Sequence, residues 1–301
     1  MRKILVTGGA GFIGSHIVDE LINIGDKVII VDNLSTGNVK NINNKAKFYE
    51  EDIISENIYR IFEREKPDYV IHSAAQVSVN KSLIDPIYDL QNNVLGTVNV
   101  LECCKKYKVK KIVHSSTAAV YGEPIYLGID EKHYINSTSF YGTSKYASEE
   151  YIKTYQRLYG VDYTILRYAN VYGDRQSSEG EGGVISILLD KLQSKDRTTI
   201  YGDGNQTRDF IYVKDIVKAN MLSINKGSSA TLNIGTGVET SINELINIIK
   251  SISRTNIETI YADKRQGDIL NSYFNSELSK KIIGWEPKYT LKEGLKEMLE
   301  Y

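Results

Sequence analysis

Three glycines, Gly8, Gly11 and Gly14, stand between a short apolar run, Ile4–Thr7, and a segment with helical spacing. A strand that passes directly into a helix needs such residues, because glycine allows a tight turn and close packing. The turn also leaves backbone N–H groups at a helix N-terminus, where a phosphate anion is favoured. An isolated glycine turn can be a simple connection, so the residues that accompany it decide its interpretation.

An acidic residue, Asp32, ends the second apolar run, roughly 20 residues beyond the glycine turn, as in dinucleotide-binding sites. A carboxylate there accepts hydrogen bonds from ribose hydroxyls and repels a 2′-phosphate, and Asn33 beside it supplies no cation. We therefore predict NAD, rather than NADP, as the cofactor. Asp52 and Ile53 follow the third apolar run and are candidates for the adenine edge, although Asp52 is equally typical of a turn.

The first half of the chain alternates strand-like and helix-like segments, which is typical of βαβ units with a parallel sheet. Its predicted strands are Ile4–Thr7, Val28–Val31, Lys47–Tyr49, Tyr69–His72, Lys111–Ser115 and Tyr163–Arg167. Apolar residues at helical spacing predict three intervening helices, marked by Ile13, Ile17 and Leu21, by Leu90, Val94, Val98 and Leu101, and, after Ser139, by Ala147, Tyr151 and Tyr155. The pattern predicts an α/β fold, a doubly wound Rossmann sheet.

Beyond about residue 168 the predicted elements become shorter and less regular, as at Thr199–Tyr201, Phe210–Tyr212 and Thr231–Ile234. This change predicts a smaller C-terminal substrate-binding lobe. We place the NAD-binding Rossmann domain at 1–168, with a return segment near 211–235, and the substrate lobe mainly at 169–301.

The charges are balanced, with 37 Lys+Arg against 38 Asp+Glu, so nucleic acid is not an expected partner. The first apolar run is too short for a signal peptide or a membrane span, and we expect a cytoplasmic protein without a membrane partner. Cys103 and Cys104 are adjacent within a predicted helix, a placement that favours packing over a disulfide or a metal site. We expect no metal.

Tyr141 and Lys145 are four residues apart on the predicted helix after Ser139, so both side chains lie on one helical face. A nearby cation favours the phenolate form of a tyrosine, so we predict a lowered pKa for Tyr141. A phenol of this kind can take a proton from a substrate hydroxyl while a hydride leaves the carbon. The spacing alone is common in a chain with 22 tyrosines, and its surroundings must decide.

Hydroxyl side chains follow the fifth predicted strand, at the edge of the sheet where parallel folds place ligands. Thr117 could reach the same substrate oxygen as Tyr141 and complete a proton-sharing set with Lys145. Ser115 stands beside it and could equally cap the following turn.

Taken together, these motifs resemble those of the extended short-chain dehydrogenase/reductase family, and in particular its nucleotide-sugar 4-epimerases of the UDP-glucose/UDP-galactose type. The resemblance spans nearly the whole chain. Besides the glycine turn and the Tyr141–Lys145 segment, the matching stretches are His72–Gln76, Asn92–Thr97, Arg167–Gly173, Tyr201–Gly204, Arg208–Phe210, Asn233–Gly237 and Arg265–Asp268.

The resemblance implies a role for each matching residue. Thr117, Tyr141 and Lys145 would be catalytic. With the residues already named, the predicted cofactor site consists of Gly8, Gly11, Phe12, Ile13, Gly14, Asp32, Asn33, Asp52, Ile53, Ala74, Ala75, Gln76, Asn93, Ser115, Tyr141, Lys145 and Tyr168. The predicted substrate site, for a nucleotide sugar, consists of Thr117, Tyr141, Asn170, Val184, Tyr201, Arg208, Arg265, Asp268 and Ser272.

The two residues that follow Thr117 indicate which reaction takes place. The related dehydratases carry an Asp-Glu pair there and the decarboxylases a Glu, because elimination needs a further acid and base. This chain has Ala118 and Ala119, which transfer no protons. An oxidised sugar could then only receive its hydride back, which favours C4 epimerisation through a 4-keto intermediate.

Two alternatives stay open: an oxidoreductase or reductase that consumes NAD in proportion to product, and a catalytically silent NAD-sensing scaffold. Ser272 is small where the family controls room for the C2 substituent, so N-acetylhexosamines are expected to fit, although this serine could simply face solvent. The resemblance also implies a homodimer, built from the helices near residues 88–107 and 141–159.

Overall fold

The computed structural model describes residues 1–178, 183–255, 258–264 and 269–299. Its strands are β1 Lys3–Thr7, β2 Lys27–Asp32, β3 Lys47–Glu50, β4 Tyr69–His72, β5 Lys111–Thr117, β6 Asp162–Tyr168, β7 Asn170–Tyr172, β8 Thr198–Tyr201, β9 Thr207–Arg208, β10 Phe210–Tyr212, β11 Ala230–Ile234, β12 Thr240–Ser241 and β13 Thr259–Ala262. Every strand predicted from the sequence is present, with ends within a residue or two.

The α-helices are α1 Phe12–Asn23, α2 Asn57–Glu65, α3 Val79–Ile84, α4 Pro86–Leu90, α5 Gly96–Lys106, α6 Phe140–Tyr159, α7 Val184–Ser194, α8 Val213–Asn225, α9 Ile242–Ser253, α10 Glu277–Ile283 and α11 Leu291–Leu299. A π-helical turn, Gln91–Leu95, joins α4 to α5. Short 3₁₀ turns lie at Val39–Asn41 and Ala118–Val120.

Seven parallel strands form the central sheet, in the order β11-β6-β5-β4-β1-β2-β3. The order reverses direction between β1 and β4, and such a switch point opens a crevice at the carboxyl ends of the strands. The predicted doubly wound fold is therefore confirmed. β11 comes from the return segment predicted near 211–235 and completes one edge of the sheet.

Apolar side chains cover both faces of the sheet, as expected for parallel strands buried on both sides. One core contains Ile17 and Leu21 of α1, together with side chains of α8 and the buried Trp285. The other contains side chains of α2, α5 and α6. A third core joins α7, α9 and α11 in the smaller lobe.

The apolar spacing of the second predicted helix is only partly a core pattern. Leu101 is fully buried, whereas the Leu90 side chain is 56% exposed. Val94, in the π-helical turn, and Val98, after it, are only partly buried. On α6, too, Tyr151 is exposed, and the buried face is formed by other residues, including Lys145 and Ile152.

Candidate active site

The glycine turn after β1 has the geometry that its sequence predicts. Gly8 has φ +69°, and a Cβ built on it would lie 2.7 Å from the backbone N of Ala74. A Cβ on Gly14 would lie 2.1 Å from the carbonyl oxygen of Gly8, so neither position has room for a side chain. Gly11 is the N-cap of α1, and the N–H groups of the first turn of α1 lie at the crevice. These residues fit a pyrophosphate cradle.

Asp32 lies against this turn at the end of β2 and is 7% exposed. Its carboxylate accepts hydrogen bonds of 2.9 Å from the backbone N–H groups of Ala10 and Leu34. Asn33 beside it donates through Nδ2 to Oδ2 of Asp52 at 2.7 Å. The predicted adenosine-side residues are thus brought together in one place.

The other predicted cofactor residues on this side pack into the fold. Ile53 is 5% exposed and adjoins the start of α5, where a Cβ on Gly96 would lie 2.5 Å from its Cδ1. Phe12 and Ile13 are partly buried and pack against the core of the smaller lobe. The first turn of α1 therefore connects the two lobes.

The Thr117 hydroxyl lies near that of Tyr141 and acts on its pKa as a hydrogen-bond partner. Tyr141 lies in the first turn of α6, which Ser139 caps by accepting from the N–H of Gly142. A Cβ on Gly142 would lie 2.4 Å from the carbonyl oxygen of Ala119, so only glycine lets α6 approach the Ala118–Val120 turn so closely. This close approach brings the tyrosine to the end of β5.

Lys145 lies one turn further along α6 and is 4% exposed. Burial lowers its pKa to about 8, while the negative charges of Glu149 and Asp89 act in the opposite direction. Burial raises the pKa of Tyr141 to about 12, against the effect of its hydrogen bond to Thr117. The predicted lowering of the tyrosine pKa is therefore wrong for this structure: desolvation of the phenol is the largest effect, and Lys145 is not among the groups that shift this pKa.

Asn93 lies in the π-helical turn and links α6 to Gln76. Together with Ala74 and Ala75, Gln76 forms a predicted part of the cofactor site, here called the predicted cofactor wall. The Oδ1 atom of Asn93 accepts from the backbone N–H of Gln76 at 2.8 Å, and its Nδ2 lies 3.0 Å from the carbonyl oxygen of Gln76. The same Nδ2 donates to Oγ of Ser144 at 2.9 Å. Because Ser144 precedes Lys145, this amide couples Gln76 to the tyrosine–lysine helix.

Ser115 and Tyr168 form a second hydrogen-bonded set at the carboxyl ends of β5 and β6. Their hydroxyl oxygens are 3.1 Å apart, and Ser115 also pairs with Ser73 at 2.9 Å. Asn220 of α8 donates to the Tyr168 hydroxyl at 2.8 Å. Burial raises the pKa of Tyr168 to about 12, so this group is a neutral donor near pH 7.

The predicted substrate residues lie in the smaller lobe and at its junction with the sheet. Asn170 is exposed on β7, Val184 begins α7, and Tyr201 ends β8. Arg208 is partly buried on β9, and Ser272 is 9% exposed. Arg265 and Asp268 lie outside the described residues.

Asp209 organises the segment around Arg208. Its carboxylate accepts four hydrogen bonds: from the N–H and the hydroxyl of Thr236, from the N–H of Gly237 and from that of Phe274. From sequence alone, Asp209 could be expected only to form a surface salt bridge with an arginine such as Arg208. Its four donors come from residues far along the chain, which no local spacing indicates.

Because His72 and His114 stand at the ends of predicted strands, both are expected to be hydrogen-bonded structural groups, but the structure shows that they differ. His72 bonds to the hydroxyls of Thr7 and Thr97 at 2.7 and 3.0 Å. Both ring nitrogens of His114 are buried and have no hydrogen-bond partner among the described residues. The interpretation therefore holds for His72 and is wrong for His114.

Trp285 and the two cysteines lie in the interior, and for the cysteines this confirms the predicted packing role. Trp285 is 1% exposed, with its Nε1 donating to the carbonyl oxygen of Asp215 at 2.9 Å. Cys103 and Cys104 are free and fully or nearly fully buried.

Among the described residues, no cluster of His, Cys, Asp or Glu could hold a metal ion. No helix in the described ranges is long and apolar enough to cross a membrane.

A buried ion pair beside the site was not predicted. Arg167 donates to both carboxylate oxygens of Glu149 at 2.9 and 2.6 Å, and Ser116 donates to the same carboxylate at 2.6 Å. Glu149 stands four residues after Lys145, so the helical spacing that relates Tyr141 to Lys145 could have indicated it. The pair fixes α6 against the ends of β5 and β6.

Comparison with known proteins identifies the family. Residues 4–235 match the NAD dependent epimerase/dehydratase family. The crystal structure of UDP-glucose 4-epimerase with UDP-glucose from Thermotoga maritima has a TM-score of 0.98 and 45% identity, covering 99% of this chain and 98% of that one. This chain belongs to the NAD-dependent epimerase/dehydratase family, and the predicted family and cofactor are confirmed.

Two other relatives match over nearly their whole length. The UDP-glucose 4-epimerase of Mycolicibacterium smegmatis is 37% identical over 306 residues, 99% of this chain and 98% of its own. The UDP-N-acetylglucosamine 4-epimerase of Methanobrevibacter ruminantium, solved with UDP-N-acetylmuramic acid, has a TM-score of 0.95 and 37% identity, covering 99% and 97% of the two chains.

Proposed function

We propose that this chain is an NAD-dependent nucleotide-sugar 4-epimerase that interconverts UDP-glucose and UDP-galactose. The hydroxyl pair of Thr117 and Tyr141, beside the buried Lys145 at the carboxyl end of β5, carries this proposal. Ala118 and Ala119 support epimerisation over elimination, because neither supplies an acid or a base. The names of the similar enzymes agree with this choice.

The residues around the glycine turn and Asp32 would hold the dinucleotide, with Asn93, Gln76 and Ser115 along its inner end. NAD, when bound, supplies the acceptor that takes a hydride from C4 of the sugar and returns it. Tyr141 takes the C4 hydroxyl proton and later gives it back, while Thr117 holds the same oxygen through a hydrogen bond. Lys145 stabilises the phenolate electrostatically. The sugar alternates between a hydroxyl and a 4-keto form, and no net oxidation results.

The smaller lobe would bind the nucleotide sugar. We assign Arg208 and Arg265 to its diphosphate, where guanidinium groups form charge-assisted bonds, and Asp268 to its ribose. Asn170, Val184 and Tyr201 would complete the binding surface. This assignment keeps the division into a Rossmann domain at 1–168 and a lobe mainly at 169–301, with β11 returned to the sheet.

We also propose that N-acetylhexosamines are accepted. The Ser272 side chain is only 9% exposed. It lies beside β9, because the adjacent Asn271 accepts a hydrogen bond of 3.1 Å from the hydroxyl of Thr207 on that strand. A small side chain there leaves room for a C2 substituent, and the Methanobrevibacter relative acts on such a sugar according to its name. A Ser272→Tyr variant should lose activity on UDP-N-acetylglucosamine and keep it on UDP-glucose.

A homodimer is part of the proposal. Large apolar side chains are exposed along α3, α4, the π-helical turn and α6: Leu83, Ile84, Ile87, Leu90, Leu95, Tyr151 and Leu158. Paired α5 and α6 helices of two copies would cover many of them. Leu158→Glu should convert a dimer to a monomer in light scattering, and Val39→Glu, on another exposed surface, should not. We also propose a cytoplasmic location for the enzyme.

The central test is turnover without added NADH. Purified protein incubated with UDP-glucose should form UDP-galactose, followed by proton NMR, with no accumulation of reduced cofactor. Tyr141→Phe should lower kcat by roughly 10²- to 10⁴-fold, the usual contribution of a general base. Tyr146→Phe, on the same helix, is the matched control. Full activity in the Tyr141→Phe variant, or NAD consumed in proportion to product, would refute the proposal.

A further inference from the structure

Asp89, on α4, is a buried carboxylate that the reaction described above does not use. It is 1% exposed, and its Oδ1 accepts from Nε2 of Gln76 at 2.7 Å and from Nδ2 of Asn93 at 3.1 Å. Its Oδ2 is buried with no hydrogen-bond partner among the described residues. A buried anion with an unpaired oxygen is costly, so its presence beside a candidate active site calls for a reason.

The position of Asp89 links it to both sides of the site. Gln76 belongs to the predicted cofactor wall, and Asn93 continues through Nδ2 to Ser144, which precedes Lys145. The backbone N–H of Tyr141 donates to Ser82 of the neighbouring α3, so the α3–α4 segment packs directly on the start of α6. The charge of Asp89 acts on both Tyr141 and Lys145, and raises the pKa of each.

Two buried carboxylates act on Lys145, and only one of them is neutralised nearby. Glu149 is held by both arms of Arg167, with Lys153 at 3.8 Å as a second cation. Within the described parts of the chain, Asp89 has no cation at ion-pair distance. The other titratable groups that interact with Lys145 are His72 and His114, both of which burial keeps neutral. Asp89 therefore supplies a second negative charge beside the larger effect of Glu149, and no cation at ion-pair distance within the described residues neutralises it.

We propose that Asp89 is a positioning residue for catalysis: its carboxylate, which has no ion-pair partner and whose Oδ2 accepts no hydrogen bond within the described residues, is a counter-charge that helps to keep Lys145 protonated in the buried site. Electrostatic interactions are strong where water is excluded, so a nearby anion favours the ammonium form of Lys145 even without a direct ion pair. The inference rests on the proposed roles of Tyr141 and Lys145.

Asp89→Asn removes the charge and keeps an oxygen for Gln76 and Asn93. Loss of a nearby anion lowers the pKa of a lysine and of a tyrosine alike, so both should titrate at lower pH. Where the pH dependence of kcat reflects titration of Tyr141 or Lys145, we expect its midpoint to fall by about half to one pH unit. A residue with a merely structural role would lower the profile without moving it.

Asp85→Asn is the matched control, because it removes the same charge from the exposed N-cap of the same helix and asparagine still caps. A second readout avoids turnover. The NMR titration of ¹³C-methylated lysines contains a resonance for Lys145, identified by its loss in Lys145→Met, and Asp89→Asn should shift its midpoint toward acid while Asp85→Asn should not. Asp89→Ser serves the same purpose if Asp89→Asn does not fold.

The outcomes separate the two proposals. If the lysine resonance and the kcat profile of Asp89→Asn coincide with those of the wild type, the inference about Asp89 is wrong, whatever Tyr141→Phe shows. If Tyr141→Phe keeps full turnover, the proposed catalytic role fails, yet the lysine titration still decides whether Asp89 acts on Lys145. Asp89→Glu, which restores the charge, should return the titration midpoint to its wild-type value.

Discussion

Two sets of buried polar groups adjoin Lys145, and they are satisfied to very different degrees. In the first set, Glu149, Arg167 and Ser116 bond to one another at 2.6 to 2.9 Å. In the second set, Asp89 has one oxygen, and His114 both nitrogens, without a partner among the described residues. Burial is nearly the same in both sets, at 0 to 4% exposure.

The difference indicates two kinds of contribution. A fully paired set stabilises the fold, because removing either partner leaves a buried charge alone. A partly unpaired set destabilises the folded state, and its charges, which have no counter-charge, act electrostatically on neighbouring groups. We expect substitutions in the first set to change stability, and those in the second to change the titration of the site or the dependence of stability on pH.

The largest effect is expected for Glu149→Gln. The substitution leaves the Arg167 guanidinium buried without its counter-charge, which costs roughly 3–5 kcal/mol of unfolding free energy. Urea unfolding followed by the fluorescence of the single tryptophan, the buried Trp285, measures it. Glu150→Gln, the next residue, removes only a surface pair with Lys153 and should cost less than about 1 kcal/mol. Equal losses in the two variants would contradict the assignment.

A smaller effect is expected in the dependence of stability on pH, through His114 of the second set and through the neighbouring His72. Burial lowers the pKa of His72 to about 3 and that of His114 well below its usual value. Below about pH 6.5 the unfolded chain binds protons at these histidines and the folded chain does not, so stability falls as pH falls. Each such histidine contributes a slope of up to about 1.4 kcal/mol per pH unit, down to its folded pKa.

His114→Phe should remove the share of this slope that belongs to His114. Urea unfolding of wild type and variant at pH 6.5, 5.5 and 4.5 gives two slopes, and carboxylate titrations common to both proteins cancel in the difference. Because the ring nitrogens of His114 have no partner among the described residues, phenylalanine sacrifices no known hydrogen bond. Identical slopes would show that His114 is protonated or solvated in the folded protein.

The fold was largely predictable from sequence, and the reason is visible in single elements. β4 and β10 begin and end at the predicted residues, because apolar runs bounded by polar residues mark buried strands. The π-helical turn was not predicted, since an inserted residue changes the rotation of the helix without changing its composition. Leu90, directly before the turn, is exposed although its spacing predicted a core position.

Residues of the candidate site could be proposed from sequence, whereas its electrostatics could not. Spacing placed Tyr141 and Lys145 on one helical face, but it carries no information on desolvation, and the predicted direction of the tyrosine pKa was wrong. Asp89 was not predicted because its partners, Gln76 and Asn93, come from other segments. Helical spacing relates Asp89 to Asn93, yet nothing in the sequence shows that α4 packs on α6.

The smallest expected change is the stability of Asp89→Asn. Asparagine keeps the oxygen that Gln76 and Asn93 use, and it removes a buried charge that lacks a partner among the described residues. The new amide N–H₂ is buried in turn, so the two changes oppose each other, and we expect a net difference within about 1 kcal/mol. The urea experiment used for Glu149→Gln measures it. A loss as large as that of Glu149→Gln would mean that Asp89 is ion-paired in solution, in which case its charge is already neutralised and cannot sustain the protonation of Lys145.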